Sequence, residues 1–290
     1  ADHRDLHSFP TRRSSDLDLQ HNLTLSEAVQ NVAGVHRQSG HGVHDYFIIR
    51  GFNSLDNGLV LTNGTPEPEA TTHDLYDIEQ VELLKGPAAF LYGGYPLAAG
   101  VNLAYKRPRL QRFLTAATGY GSFQTLRHTL DGGWANTSGT VAMRLNGLSQ
   151  QSDGYRNDTS SNIYALHPSL LWQPNKNRRV NLDFEYVHNS YSPDTGLPLL
   201  YNPQSRQLEQ LPDIDRRTSF QSAQDHSRQD IYRFKGEFVQ EAVAGGRMRW
   251  TVFHTDQEWN SQGTLVNGAY PTPMGTYMVS RTLPILHDRQ

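Results

Sequence analysis

Cysteine is absent from the 290 residues, which excludes a disulfide framework and any thiolate metal site. Long apolar runs are absent too, since no stretch approaches the roughly 20 residues of a membrane-crossing helix. A strong charge of either sign is also missing. The net charge is -3, the pI is near 6.5 and the basic residues are scattered, so the chain carries no nucleic-acid footprint. No hydrolase elbow, phosphate loop or zinc-protease helix can be found, and the expectation is a protein that is not an enzyme. One deficit excludes less than it suggests. A mean hydropathy of -0.63 is polar for a membrane protein, yet a β-barrel needs apolar residues only at alternate positions of each strand.

What the second part of the chain has is alternation. Val141, Met143 and Leu145 stand against Ala142, Arg144 and Asn146, and Val180, Leu182, Phe184 and Tyr186 against Asn181, Asp183 and Glu185. Tyr232, Phe234 and Phe238 oppose Arg233, Lys235 and Glu237, and Met248, Trp250 and Val252 oppose Arg249 and Thr251. A period of two with one apolar and one charged face is the strand signature, and about seven strands are predicted. Tight turns near Asn136 to Gly139, Pro174 to Asn177 and Ala242 to Gly246 alternate with long connections near Ser152 to Ser160 and Tyr191 to Arg228; only the first hairpin departs from this. That sidedness, with aromatics such as Trp134, Trp172 and Tyr186 near strand ends, suits a wall with lipid outside, short inner turns and long outer loops. A soluble β-sandwich is the alternative, and it gives no reason for the sidedness.

The first part reads differently. Thr24 and Glu27 match a capping box, Leu25, Ala28, Val29 and Val32 share a helical face, and Gly34 suits the stop. A polar loop is expected from Arg37 to Asp45, then a strand from Phe47 to Arg50 ended by Gly51. Asn57-Gly58 and Asn63-Gly64 around Leu59 to Leu61 signal a hairpin. Asp74 is a plausible N-cap for a short helix from Asp74 to Gln80, followed by a buried strand from Val81 to Lys85. Gly86 and Pro87 break that strand and open a second short helix, Ala88 to Tyr92, stopped by Gly93 and Gly94. The result is a small α+β unit; composition alone would equally allow an ordinary soluble α+β domain.

Three blocks carry a resemblance: FIIRGFNS (Phe47 to Ser54), DLYDIEQVELLKGPAAFLYGG (Asp74 to Gly94) and GVNLAYKRP (Gly100 to Pro108). In this order and spacing they resemble the plug domain of TonB-dependent outer-membrane receptors, most closely the ferric-siderophore branch. LSEAVQNVAGV (Leu25 to Val35) resembles the opening of such a plug, with Ala33 where the family more often has Pro. Asn63 stands where an Asp is usual, and Ala98 and Ala99 where a Gly pair is usual. The resemblance implies a plug over residues 18–108 and, over residues 109–290, the first part of a transmembrane antiparallel β-barrel of about 22 strands. Residues 1–17 are set apart, because FPTRRSSDL (Phe9 to Leu17) resembles the translation of a sequencing adaptor. On that reading the signal sequence and the TonB-contacting segment precede the chain, and the remaining strands follow it.

Function and site residues follow as implications of the resemblance. The expected role is energised uptake of a ferric siderophore across the bacterial outer membrane. TonB and the inner-membrane energising complex are the expected partners, outer-membrane lipid surrounds the wall, and iron is cargo and not cofactor. Arg50 and Lys85, the basic positions of IRGF and LKGP, are expected to pair with carboxylates on later barrel strands and latch the plug to the wall. Gly51, Gly86, Pro87 and Gly93 are assigned to backbone geometry. His36, His41 and His44 could form a metal site or simply a solvated loop; the resemblance adds Arg37, Gln38, His41 and His44 as cargo contacts. Cobalamin, haem or a glycan as cargo, a passive structural or adhesive barrel, and an unexpressed reading frame remain the other readings.

Overall fold

The structure is a computed structural model, and it describes residues 11–13, 22–30, 32–40, 44–49, 51–53, 60–68, 71–85, 99–202, 204–211, 214–241, 245–272, 274 and 276–289. In the N-terminal part, β1 (Thr11–Arg13) precedes α1 (Leu25–Val29). The box at α1 forms as the residues predict: Thr24 accepts from the Glu27 amide, and Glu27 accepts from the Thr24 amide at 3.0 Å. Leu25, Ala28 and Val29 are buried, and Gly34 ends the segment with φ +80°.

β2 (Val35–Gly40) and β3 (His44–Ile49) pair antiparallel, and β4 (Phe52–Asn53) extends the same sheet. The expected polar loop from Arg37 to Asp45 is therefore a correction: its ends belong to a hairpin in which Arg37 faces Phe47 and Gln38 faces Tyr46. Polar side chains tolerate this because only the alternate residues Val35, Phe47 and Ile49 enter the core. Gly51 turns the chain between β3 and β4 at φ +87°.

A second sheet holds β5 (Val60–Thr62), β6 (Thr65–Pro66), β7 (Ile78–Lys85) and β8 (Ala99–Tyr105), with β1 along its edge in the order β1-β7-β8-β5-β6. The Asn63-Gly64 turn joins β5 to β6 with both residues at positive φ. The helix expected from Asp74 to Gln80 does not form. Asp74 Oδ1 accepts from the Tyr76 amide at 2.9 Å, which closes a local turn, and Ile78 already pairs with Tyr105 in the sheet. Ile78, Val81, Leu83, Val101 and Leu103 pack with α1, Val35, Phe47 and Ile49 into one apolar core. The Asn57-Gly58 turn and the Ala88 to Tyr92 helix lie outside the described residues.

The alternating stretches become a single curved sheet. It contains β9 (Phe113–Tyr120), β10 (Leu126–Ala135), β11 (Val141–Asp153), β12 (Ser160–Asn175) and β13 (Arg178–Tyr191). The long connection that follows carries β14 (Leu199–Asn202) and β15 (Gln207–Gln210), and the wall resumes with β16 (His226–Glu241) and β17 (Arg247–Gln262). Another outer excursion forms β18 (Leu265–Pro271) and β19 (Tyr277–Thr282) before β20 (Ile285–Arg289) returns to β17. Among the described residues the wall thus has eight strands where about seven are predicted, and β14, β15, β18 and β19 make a separate four-stranded sheet from the two outer connections. Antiparallel pairing with these bounds puts the turns after β10, β12 and β16 at one end and the long connections at the other.

Burial in this wall is inverted relative to a water-soluble sheet. Asn146, His167, Asp183, Glu185, Gln229 and Arg233 are buried on the face toward the plug, whereas Trp134, Trp172, Leu182, Phe184, Tyr232 and Phe234 are exposed on the other. An apolar outer face over a polar lining is the pattern of a sheet bathed in lipid.

Candidate functional site: the polar seam between plug and wall

The period of two that exposes Phe184 and Phe234 turns Asp183, Glu185, Arg233 and Lys235 inward, where register sets Glu185 opposite Arg233 and Asp183 opposite Lys235. From the plug, Glu67 follows β6, Asp74, Tyr76 and Asp77 form the turn before β7, and Tyr105 ends β8. All of these groups meet in one buried seam.

Arg233 sits at its centre. Its Nε donates to Glu67 Oε2 at 2.8 Å and its Nη1 to Glu185 Oε2 at 2.9 Å, so one guanidinium joins a plug carboxylate to a wall carboxylate. Glu185 also accepts from the hydroxyls of Tyr105 at 2.8 Å and Tyr76 at 3.2 Å. The Thr62 hydroxyl donates to Glu67. Burial pushes the Glu67 carboxyl above its ordinary range, and the Arg233 charge opposes that rise. Burial likewise raises the Tyr76 and Tyr105 phenols well above theirs, with the Asp77 charge adding at Tyr76 and the Glu185 charge at Tyr105, so both stay protonated donors.

Two further clasps flank the centre. Arg127 on β10 grips Asp74 with both terminal nitrogens, at 2.8 and 2.7 Å, the two-pronged geometry that suits a guanidinium and a carboxylate. His167 on β12 places Nδ1 2.6 Å from Asp77 Oδ2 and Nε2 3.7 Å from Asp183 Oδ1. Burial pushes the Asp77 carboxyl up, the Glu185 charge adds to this, and the His167 hydrogen bond opposes it. Lys235 Nζ donates to the Asn63 carbonyl at 2.6 Å, and Thr71 donates to Gln257 on β17 at 2.7 Å. Where the plug leads into β9, Lys106 and Arg144 share Asp131, and Arg107 pairs with Asp183.

The expected latch residues Arg50 and Lys85 are not among these pairs. Arg50 lies outside the described residues, and only the backbone of Lys85 is described, at the end of β7. In three buried pairs the plug residues Glu67, Asp74 and Asp77 offer carboxylates to the wall residues Arg233, Arg127 and His167, whereas Lys106 and Arg107, at the end of the plug, meet the wall carboxylates Asp131 and Asp183. Sequence reading missed them, although the wall side was visible: inward-phase charges on strands that otherwise alternate with apolar residues have to meet something. The plug side carried no such signal. Of the other expected site residues, Arg37 and Gln38 lie exposed on β2 and His44 begins β3, while His41, Gly86, Pro87 and Gly93 lie outside the described residues.

Comparison with known proteins agrees with this architecture. Residues 10–100 match the family described as TonB-dependent Receptor Plug Domain. The chain is 30% identical over 186 residues to the probable TonB-dependent receptor BfrD of Bordetella pertussis, covering 62% of this chain and 24% of that protein. It is 27% identical over 185 residues to the catecholate siderophore receptor Fiu of Escherichia coli K12, with the same two coverages of 62% and 24%. The chain therefore spans about a quarter of the length of the curated relatives it matches. Among solved structures, the open form of Fiu superposes with a TM-score of 0.84 at 22% identity, over 96% of this chain and 43% of that one. The siderophore receptor PiuA of Acinetobacter baumannii gives 0.79 at 19% identity, over 88% and 37%. A plug held by a polar seam against a wall of strands with an apolar outer face is thus similar to the TonB-dependent outer-membrane receptors, over residues 10–100 by the plug family and over most of the chain in fold.

Proposed function

We propose that the receptor carrying this chain takes up ferric siderophores across the outer membrane, with catecholate complexes as the first cargo class to test. The observation that carries this reading is the double likeness to Fiu, in sequence over 185 residues and in fold at a TM-score of 0.84. TonB and the energised inner-membrane complex are the proposed partners, and ferric iron enters as cargo. Arg37, Gln38, His41 and His44, on and beside the β2–β3 hairpin, remain the proposed cargo contacts.

The seam supports transport over permanent closure. A plug held by apolar packing would lose about 25 cal/mol for every Å² it exposed on leaving. Hydrogen-bonded charges recover much of their loss by taking up water, since the net worth of an internal hydrogen bond to a charged group is only about 1.5 to 3 kcal/mol. Such a plug is held in one register yet can be displaced by a pull from the periplasmic side.

The test is binding and uptake of ferric catecholate, ferric hydroxamate and cobalamin by the receptor in cells with and without TonB. Uptake of a ferric chelate that disappears without TonB is the expected result. Binding of cobalamin alone, or uptake that ignores TonB, overturns the reading.

A further inference from the structure

His167 stands out among the seam residues because both its nitrogens face carboxylates from different bodies. Nδ1 meets Asp77 of the plug at 2.6 Å, and Nε2 points toward Asp183 of the wall at 3.7 Å, with neither Nε2 nor Asp183 Oδ1 otherwise hydrogen-bonded. The side chain is 0% exposed and the Tyr105 ring packs edge-on against it, with centroids 4.5 Å apart. A neutral imidazole has one N–H and can serve one of these carboxylates; an imidazolium serves both.

The charges around it favour the second form. Asp77 and Glu67 come from the plug and Asp183 and Glu185 from β13, while Arg107 in the linker and Arg233 and Lys235 on β16 are the cations that face them. Asn146, opposite His167 on β11, is uncharged. Four carboxyl groups and three basic side chains meet in this desolvated space, so a protonated imidazole adds a counter-charge on the acidic side. A cleft with room for about one water, lined in part by Tyr105, His167, Asp183 and Lys235, borders the cluster and offers a place from which a proton can be exchanged.

We propose that His167 is a proton-operated clasp between plug and wall: protonated, it bridges Asp77 to Asp183 and holds the turn before β7 in place; deprotonated, it releases one of them. This rests on the plug-and-wall reading above and adds a regulation to it. The closed clasp binds one proton more than the open one, so wherever Asp77 and Asp183 are ionised the plug loosens as pH rises and the imidazolium loses its proton. The pull needed to displace the plug would therefore depend on pH.

Hydrogen–deuterium exchange on the intact receptor, without cargo or TonB and corrected for intrinsic rates, tests this at about pH 8 and about pH 11, because the two facing carboxylates hold the imidazole proton to high pH. Amides of residues 71–78 should exchange about tenfold faster at the higher pH, the factor expected when a charge-assisted hydrogen bond is lost. His167→Gln should show the faster rate at both pH values. Asp74→Asn, which weakens the neighbouring Arg127 clasp, should raise exchange but keep the pH response. A flat wild-type profile, or a pH response that survives in His167→Gln, overturns the proposal. Should His167→Gln fail to assemble, Asp77→Asn takes its place, with the same two outcomes. Because the readout needs neither cargo nor TonB, the clasp can fail while siderophore uptake stands, and the reverse.

Discussion

Arg233 shows what a single side chain contributes when it is shared between two bodies. Its guanidinium is almost wholly buried and touches Glu67 and Glu185 at once, so Arg233→Ala would leave two carboxylates in a desolvated space with no cation between them. Removing one partner of a buried pair costs about 3 to 5 kcal/mol, and denaturant unfolding of the receptor should show a loss of that order. Glu67→Gln should cost clearly less, because Glu185 keeps its guanidinium and Gln still accepts from it. If the two variants unfold alike, the seam is not organised around Arg233. At this scale the sequence was half legible. The inward charges of β13 and β16 could be read from their phase, but their partners Glu67, Asp74 and Asp77 sit in segments without period, and nothing local marks them as buried.

Whole elements obey local rules unevenly. The cap of α1 is written in adjacent residues, and Thr24→Ala, which removes the acceptor for the Glu27 amide, should destabilise the plug by about 1 kcal/mol in thermal unfolding. The stretch from Asp74 to Gln80 carries the same kind of residue and yet makes a turn and a strand. Its aspartate serves the Tyr76 amide and then Arg127, and Ile78 is claimed by β8, 27 residues downstream of it in register. A helix of under two turns gains little by itself, so a distant strand with a free edge wins. On the wall, Gly133 lies opposite Phe113, whose ring covers it so closely that an added Cβ would fall 2.1 Å from a ring carbon. Gly133→Val should therefore displace that ring from beneath Arg144, which lies 5.2 Å from its centroid. The expected loss is about 1 to 3 kcal/mol, the usual cost of overpacking, with tryptic nicking near β9 as the check; equal resistance to trypsin would mean the ring has room to turn.

For the molecule as a whole, the decisive property is which face of the wall meets lipid. Phe234 lies on the exposed face, level with Phe184 in the register. Phe234→Lys should cost about 2 to 4 kcal/mol if that level is the bilayer midplane, seen as lost membrane assembly of the receptor. The same substitution at the exposed outer-loop residue Gln204 should leave assembly unchanged. Equal assembly of both variants would place the lipid elsewhere. The eighth strand was not foreseen because β20 is short and is reached through an outer excursion whose β18 and β19 pair with each other and with β14; its place in the wall is fixed by β17, far from it along the chain.

The sequence by itself determined the phase of β11, β13, β16 and β17, the capped helix, the ends at which the turns and loops lie and the family resemblance, because alternation, capping chemistry and motif order are relations between near neighbours. The tertiary structure alone decided how the plug is held. The pairs Glu67–Arg233, Asp74–Arg127 and Asp77–His167 join residues that are far apart in sequence and carry no shared pattern. A buried charge needs a counter-charge, but only the folded path of the chain says which one reaches it.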